Sequence, residues 1–142
     1  GKTGYYLTVT MVGAAIVTGR EEIIPHLLEF GRFIGPAFQI ADDVLDMTDG
    51  KGRGEIGRDI KEGKRSILVV HCLNKCNEKE KIDLLHILNK SPEDTTSDDV
   101  LHAKALFDKY GSVEYAQHKM HELQETANKI IKKTPPASRI FR

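Results

Sequence analysis

The chain has 142 residues, with 21 Lys and Arg against 21 Asp and Glu, 39% hydrophobic residues and no tryptophan. A formal net charge of zero excludes a nucleic-acid-binding domain driven by a global basic field, and length and composition suit one core or part of one, not a disordered or repeat protein. Cys72 and Cys76, one helical turn apart, make no disulfide framework and point to a reducing cytoplasm.

The most apolar stretch, Tyr5 to Thr18, runs for about 14 residues, short of the roughly 18 to 20 that span a bilayer, so it predicts a buried core helix and no membrane span. It begins almost at Gly1 with no Met, polar lead-in or basic n-region, and the expectation is the downstream part of a longer protein. Lys2 to Gly19 and Glu21 to about Met47 read as two long helices, with Gly19 as the stop and Pro25 tolerated in the next first turn. In the second helix Ile24, Leu27, Leu28, Gly31, Ile34, Gly35, Phe38, Ala41 and Leu45 recur at three- and four-residue steps and predict a stripe facing other helices. Pro36 cannot donate to the Arg32 carbonyl, which predicts a kink or a break there.

Thr48 to Gly57, TDGKGRGEIG, must leave helix, and its four glycines predict a flexible loop. Arg65 to Lys75 and Glu78 to Asn89 then read as a helical hairpin around Asn77. A polar break from Ser91 to Ser97 precedes helices over Val100 to Tyr110 and Val113 to Lys133, separated by Gly111, and the tail from Thr134 reads as irregular. No stretch alternates with period two between turn signals, so the fold class is all-α.

Chemistry concentrates in Phe38-Gln39-Ile40-Ala41-Asp42-Asp43-Val44-Leu45-Asp46, where three carboxylates interrupt an apolar helix. Asp42 and Asp46 are four apart and share a face, an arrangement that costs stability unless a cation lies between them. Mg²⁺ suits such a place, because it takes oxygen ligands and is usually held by one or two carboxylates plus substrate phosphates. Gln39, one turn ahead of Asp42, can hydrogen-bond a ligated oxygen or water. A solvated acidic helix end is the plain alternative. Against it stand Lys51, Arg53, Arg58, Asp59, Lys61, Lys64 and Arg65 within about one loop, whose glycines let the chain fold back over the carboxylates.

With these residues in view, the chain resembles the trans-isoprenyl diphosphate synthases. Gly35 through Asp46, GPAFQIADDVLD, is similar to that family's second aspartate-rich motif. Gly57-Arg58-Asp59-Ile60 with Glu62-Gly63-Lys64-Arg65-Ser66 resembles the signature that follows it, and Lys2-Thr3 resembles the Lys-Thr pair that opens a helix facing the same cavity. Three motifs in order over the first half are far more specific than any one alone. The resemblance implies a multihelix isoprenoid-synthase-type bundle, with residues 1–142 the C-terminal part of one domain and the diphosphate site within residues 1–66. It implies Mg²⁺ on Asp42, with Asp43 and Asp46 in its coordination or outer shell and Asp59 assisting. Lys2 and Lys64 would contact the allylic diphosphate, and Thr3 and Gln39 would lie by the isoprenoid chain or the developing cation. The implied substrates are an allylic diphosphate and isopentenyl diphosphate, in a cytoplasmic homodimer.

Two departures stand out. Glu55 occupies the place where relatives often carry a lysine, which leaves Lys51 or Arg53 to supply that charge, and the family's first aspartate-rich motif is missing. The fragment alone is therefore expected to be inactive. Asp98-Asp99-Val100-Leu101 resembles that motif, but His102 stands where its last Asp belongs, and the segment reads as a helix start. A non-catalytic helical subunit and a terpene cyclase are the alternatives; Gly57-x-Asp59 and Gly63-Lys64 favour the synthase. Gly1-Lys2-Thr3 as the end of a P-loop would need strands that residues 4–70 do not supply. An EF-hand fails on its ligand positions. Cys72, Cys76 and His71 offer too few ligands for zinc and read as small buried thiols with a neighbouring imidazole, while His118 and His121 read as surface residues.

Overall fold

A computed structural model describes the backbone of residues 2–52 and 54–133 and the side chains from residue 9 onward within that range. The described residues are all-α. Seven α-helices follow in order: α1 Lys2–Val17, α2 Ile24–Thr48, α3 Arg58–Lys61, α4 Ile67–Lys75, α5 Glu78–Leu88, α6 Ser97–Tyr110 and α7 Ser112–Lys133, with 3-10 turns at Glu21–Ile23 and Gly50–Gly52. The chain divides into two compact units, Gly1–Gln39 with Lys119–Arg142, and Ile40–His118.

In the first unit Ala15, Ile23 and Leu27 form a small buried cluster, with Met11, Val12 and Ile24 packed against it. From residue 9 onward this corrects the expectation of a buried first helix. Val9 is 50%, Ile16 54% and Val17 86% exposed, because α1 is apolar on every side while the cluster covers one edge. The expected α2 stripe is also rotated. Leu27, Gly31 and Gly35 are buried as read, whereas Leu28, Phe38 and Leu45 are exposed and Ile40, Val44 and Met47 are buried in their place. Three- and four-residue steps fit two neighbouring faces of one helix, and the neighbours choose between them. Nor does Pro36 break α2. Pro36 and Arg32 both lie on the exposed side, so the carbonyl that loses its amide donor is open to water.

In the second unit α6 packs on α4 and α5, and the one-turn α3 packs on α5 and α6. The core consists of Ile60, Leu68, Val69, Cys72, Leu84, Ile87, Leu88, Val100, Ala103, Leu106 and Phe107. Burying each large side chain here contributes about 1.5–3 kcal/mol. Local chemistry sets the ends of these helices. Ser66 caps α4 by accepting from the Val69 amide, and capping boxes pair Asn77 with Glu80 at α5 and Thr96 with Asp99 at α6. Gly111, left-handed with φ 65, ends α6. Asp98 and Asp99 thus stand in the first turn of a helix, as expected. Cys72 is buried, but Cys76 caps the end of α4 half-exposed, which corrects the reading of two buried thiols.

Candidate functional site

The acidic end of α2 and the loop that follows form one piece of the second unit. After Thr48 the chain turns at Gly50–Gly52, comes back, and enters α3 through Gly57, whose φ of 86 is left-handed. A Cβ at Gly57 would collide with the side chain of Val100, so only glycine combines that conformation with that approach. The return is fastened to α2 at Asp46 twice. The Gly57 amide donates to the Asp46 carbonyl at 2.9 Å, and the Asp59 amide donates to Asp46 Oδ2 at 3.0 Å.

This fastening separates carboxylates that helical spacing groups together. Asp46 is 1% exposed and spends one carboxylate oxygen on the loop, while Asp42, one turn away, has a side chain 50% exposed. On their shared helix face the loop covers Asp46 and leaves Asp42 open. Asp43, 4% exposed, points to the covered side and accepts from Lys64 Nζ at 2.6 Å. Lys64 Nζ also lies 3.7 Å from Asp59 Oδ2. Lys51 Nζ donates to Asp42 Oδ2 at 2.8 Å. Asp42, Asp43, Asp59, Lys51 and Lys64 are thus brought together, with Asp46 beneath them.

The electrostatics are uneven across the cluster. Burial, and then the Asp46 charge, push the Asp59 carboxyl above its ordinary pKa, against the pull of Lys64 and Lys51. Burial alone would lower the Lys64 ammonium, but the Asp43 hydrogen bond and the charges of Asp43, Asp59 and Asp42 outweigh it and hold that pKa above the usual lysine value. Asp59 Oδ2 is buried and has no hydrogen-bond partner. A buried carboxylate oxygen left without a hydrogen-bond donor is costly, and the Lys64 ammonium 3.7 Å away offsets part of that cost.

Among the described residues no three His, Cys, Asp or Glu side chains converge as a ready metal cage. Mg²⁺ needs less, because one or two carboxylates complete its shell with water and phosphate oxygens. The donor set fits it. Asp42 and Asp43 are carboxylates each paired with an ammonium group, and Asp59 adds an oxygen that lacks a hydrogen-bond donor. Gln39 lies half-buried in the same helix, three residues ahead of Asp42, within the first unit. The side chains of Lys2 and Thr3, and Arg53 and the tail from Thr134, lie outside the described residues.

Glu55 is exposed, its carboxylate 3.9 Å from Lys61 Nζ. Arg58 pairs with Glu62 at 3.0 Å. Sequence reasoning missed α3 as a helix, and with it the Asp59 backbone amide as the group that holds Asp46. Its signal was the left-handed glycine before a short Asp-containing turn, but four residues are too few to show a period.

His71, Cys72 and Cys76 lie apart in role. The Cys72 thiol is pushed up to about 12, chiefly by burial and then by Cys76, which leaves it unreactive. His71 Nδ1 stands 2.9 Å from Ser112 Oγ, and its ring stacks on Tyr115.

Residues 1–105 match the polyprenyl synthetase family. A short chain isoprenyl diphosphate synthase of Methanothermobacter thermautotrophicus is 38% identical over 109 residues, which cover 75% of this chain and 32% of that protein. Two solved structures share the fold. A geranylgeranyl pyrophosphate synthetase from Pyrococcus horikoshii Ot3 aligns with TM-score 0.69 and 38% identity over 82% of this chain and 35% of its own. A decaprenyl diphosphate synthase from Rhodobacter capsulatus aligns with TM-score 0.80 and 27% identity over 93% of this chain and 41% of its own. The chain spans about a third of the length of the curated relatives it matches.

Proposed function

Since this chain belongs to the polyprenyl synthetase family, we propose that it supplies the diphosphate-holding part of a Mg²⁺-dependent prenyltransferase that joins isopentenyl diphosphate to an allylic diphosphate. The observation that carries this reading is the set of carboxylates Asp42, Asp43 and Asp59 interleaved with Lys51 and Lys64, with a buried Asp59 oxygen that lacks a hydrogen-bond donor. Carboxylates to hold a divalent ion, beside ammonium groups to hold the anion it accompanies, are the requirements of a diphosphate leaving group.

Asp42 and Asp43 are the residues that would hold Mg²⁺, with Asp59 reaching it directly or through water and Asp46 fixing the loop from beneath. The ion supplies charge neutralisation at the departing diphosphate. Lys64, oriented by Asp43 and Asp59, donates to a diphosphate oxygen, with Lys2 and Arg53 as further cationic contacts. As the allylic C–O bond breaks, the isopentenyl double bond attacks the allylic carbon, and a proton is then lost from the adduct. Gln39 and Thr3 would border the reacting chain. The whole enzyme would be a cytoplasmic homodimer, and among the described residues no helix is long and apolar enough to cross a membrane. By itself this chain carries one aspartate-rich motif of the two that the reaction uses, and is expected to bind without turning over.

Two measurements test this. Chain elongation by the whole enzyme, from isopentenyl diphosphate and dimethylallyl, geranyl or farnesyl diphosphate, should require Mg²⁺. Asp42→Ala should lower it about a hundredfold or more, as loss of a direct metal ligand exceeds the loss of a supporting group. Elongation indifferent to Mg²⁺ or to Asp42→Ala defeats the reading.

A further inference from the structure

Lys51 is the one non-glycine residue with positive φ among the described residues, at φ 58 and ψ 34. Gly50 and Gly52 flank it, so the turn places a lysine where a third glycine would be easier. Strain retained at such a position points to a role for the side chain. That side chain does not extend into water. It bends inward, 18% exposed, and places Nζ 2.8 Å from Oδ2 of Asp42, whose own side chain is 50% exposed.

Lys64 is arranged differently. It lies between Asp43 at 2.6 Å and Asp59 at 3.7 Å, so losing one partner leaves it the other. Among the described residues Lys51 forms its ion pair with Asp42 alone, on the exposed carboxylate that a divalent ion meets first. A dication seated about 2.0–2.1 Å from a carboxylate oxygen repels an ammonium hydrogen-bonded to the same group, so ion and lysine exclude one another there.

We propose that Lys51 is a displaceable counter-cation. It holds Asp42 in place while the site is empty, yields that carboxylate to the incoming divalent ion, and turns its freed ammonium to an oxygen of the diphosphate. The inference rests on the diphosphate-site reading above and adds an exchange at one residue. Lys51 therefore opposes the metal alone and favours metal with diphosphate, and these opposite signs separate it from a merely structural lysine.

Calorimetric titration of the full 142-residue chain tests this with two probes, Mg²⁺ alone and inorganic pyrophosphate in saturating Mg²⁺. Lys51→Met should bind Mg²⁺ about three- to fivefold more tightly, the range of a partly exposed ion pair removed as competitor. The same variant should bind pyrophosphate about tenfold more weakly, the loss of one charge-assisted hydrogen bond. Lys51→Arg keeps the cation and should restore the wild-type order of both affinities. Mg²⁺ affinity that is unchanged or weaker in Lys51→Met, or two affinities that move in the same direction, overturns the exchange. A wild-type chain that binds neither probe overturns the diphosphate-site reading along with it, whereas a wild-type chain that binds both and a Lys51→Met variant that matches it overturn the Lys51 proposal alone.

Discussion

Two groups of carboxylates in the second unit behave in opposite ways. Glu80 and Asp99, each at the start of a helix, are fully supplied with donors. Glu80 accepts from Lys109 at 2.7 Å, from Tyr110 and from the Asn77 amide, while Asp99 accepts from Lys90 at 2.8 Å and from the Thr96 amide. Their pKa values fall to about 2, chiefly through Lys109 and Tyr110 for Glu80 and through Lys90 and Thr96 for Asp99. Asp59 is nine-tenths buried, is raised by burial and by Asp46, and keeps an oxygen without a donor. Carboxylates that build the fold are satisfied within the fold. At the α2–α3 turn Asp42, Asp43, Asp46 and Asp59 share, among the described residues, the two ammonium groups of Lys51 and Lys64, and an incoming cation would add positive charge.

Substituting Lys64 strikes this contrast hardest. Lys64→Met leaves Asp43 and Asp59 without their shared ammonium in a covered place, and the expected cost is about 1–2 kcal/mol of stability. That is below the figure for a wholly buried pair, because the lysine side chain is 36% exposed. Mg²⁺-pyrophosphate affinity should fall about tenfold with it. Because the folded pKa of Lys64 is raised, its stabilisation is complete below the ordinary lysine value of 10.5 and is lost as the pH rises through the higher folded value. Wild type and Lys64→Met should therefore converge in alkaline melts. Parallel curves would remove Lys64 from the cluster's electrostatics.

Asp59→Asn should divide the two properties. The folded protein disfavours the Asp59 charge, so the neutral amide should raise the melting temperature at pH 7 while lowering Mg²⁺-pyrophosphate affinity several-fold. The gain in stability should disappear as the pH falls through the raised pKa of the wild-type carboxyl, where both chains are neutral at that position. A variant less stable than wild type at pH 7 would show that the Lys64 pair outweighs burial. Glu80→Gln should do the reverse, with stability reduced and pyrophosphate binding untouched. Glu80 contributes fully above about pH 4.5, and its contribution is lost as the pH falls toward 2. Urea midpoints through that window check it, and a change in pyrophosphate affinity would erase the distinction between the two groups.

The contrast was half legible in the chain itself. Asn77, the break ending at Ser97, and Gly111 mark helix ends because capping is chemistry between near neighbours, and each end falls within a residue or two of its signal, with Thr96 rather than Ser97 as the cap. The acidic cluster and its trailing lysines were likewise visible as types in order. What α2 buries was not, because Phe38 and Leu45 fit an apolar stripe as well as Ile40 and Val44 do, and the choice belongs to partners distant in sequence. For the same reason the apolar sequence of α1 predicts burial, although its hydrophobicity says nothing about what covers it. The differing environments of Asp42 and Asp46 depend on the Asp59 amide, and that amide sits in a turn whose Gly57 lies against Val100 from α6. Helical spacing records a shared face but not a loop laid across half of it.

The smallest expected effect concerns Glu55. Its carboxylate is 83% exposed and its contact with Lys61 is long, at 3.9 Å, so the pair contributes little to stability. Glu55→Lys exchanges a negative for a positive charge on the loop that carries Lys51, and the melting temperature should barely move. Pyrophosphate affinity in saturating Mg²⁺ should rise a few-fold at most, because salt and water screen an exposed ammonium. The gain should shrink further in 0.5 M salt, whereas contacts made by the half-covered Lys51 and Lys64 should persist. A larger gain that survives high salt would mean that residue 55 reaches the anion directly, and Lys51 would then be replacing a contact the loop makes better from position 55.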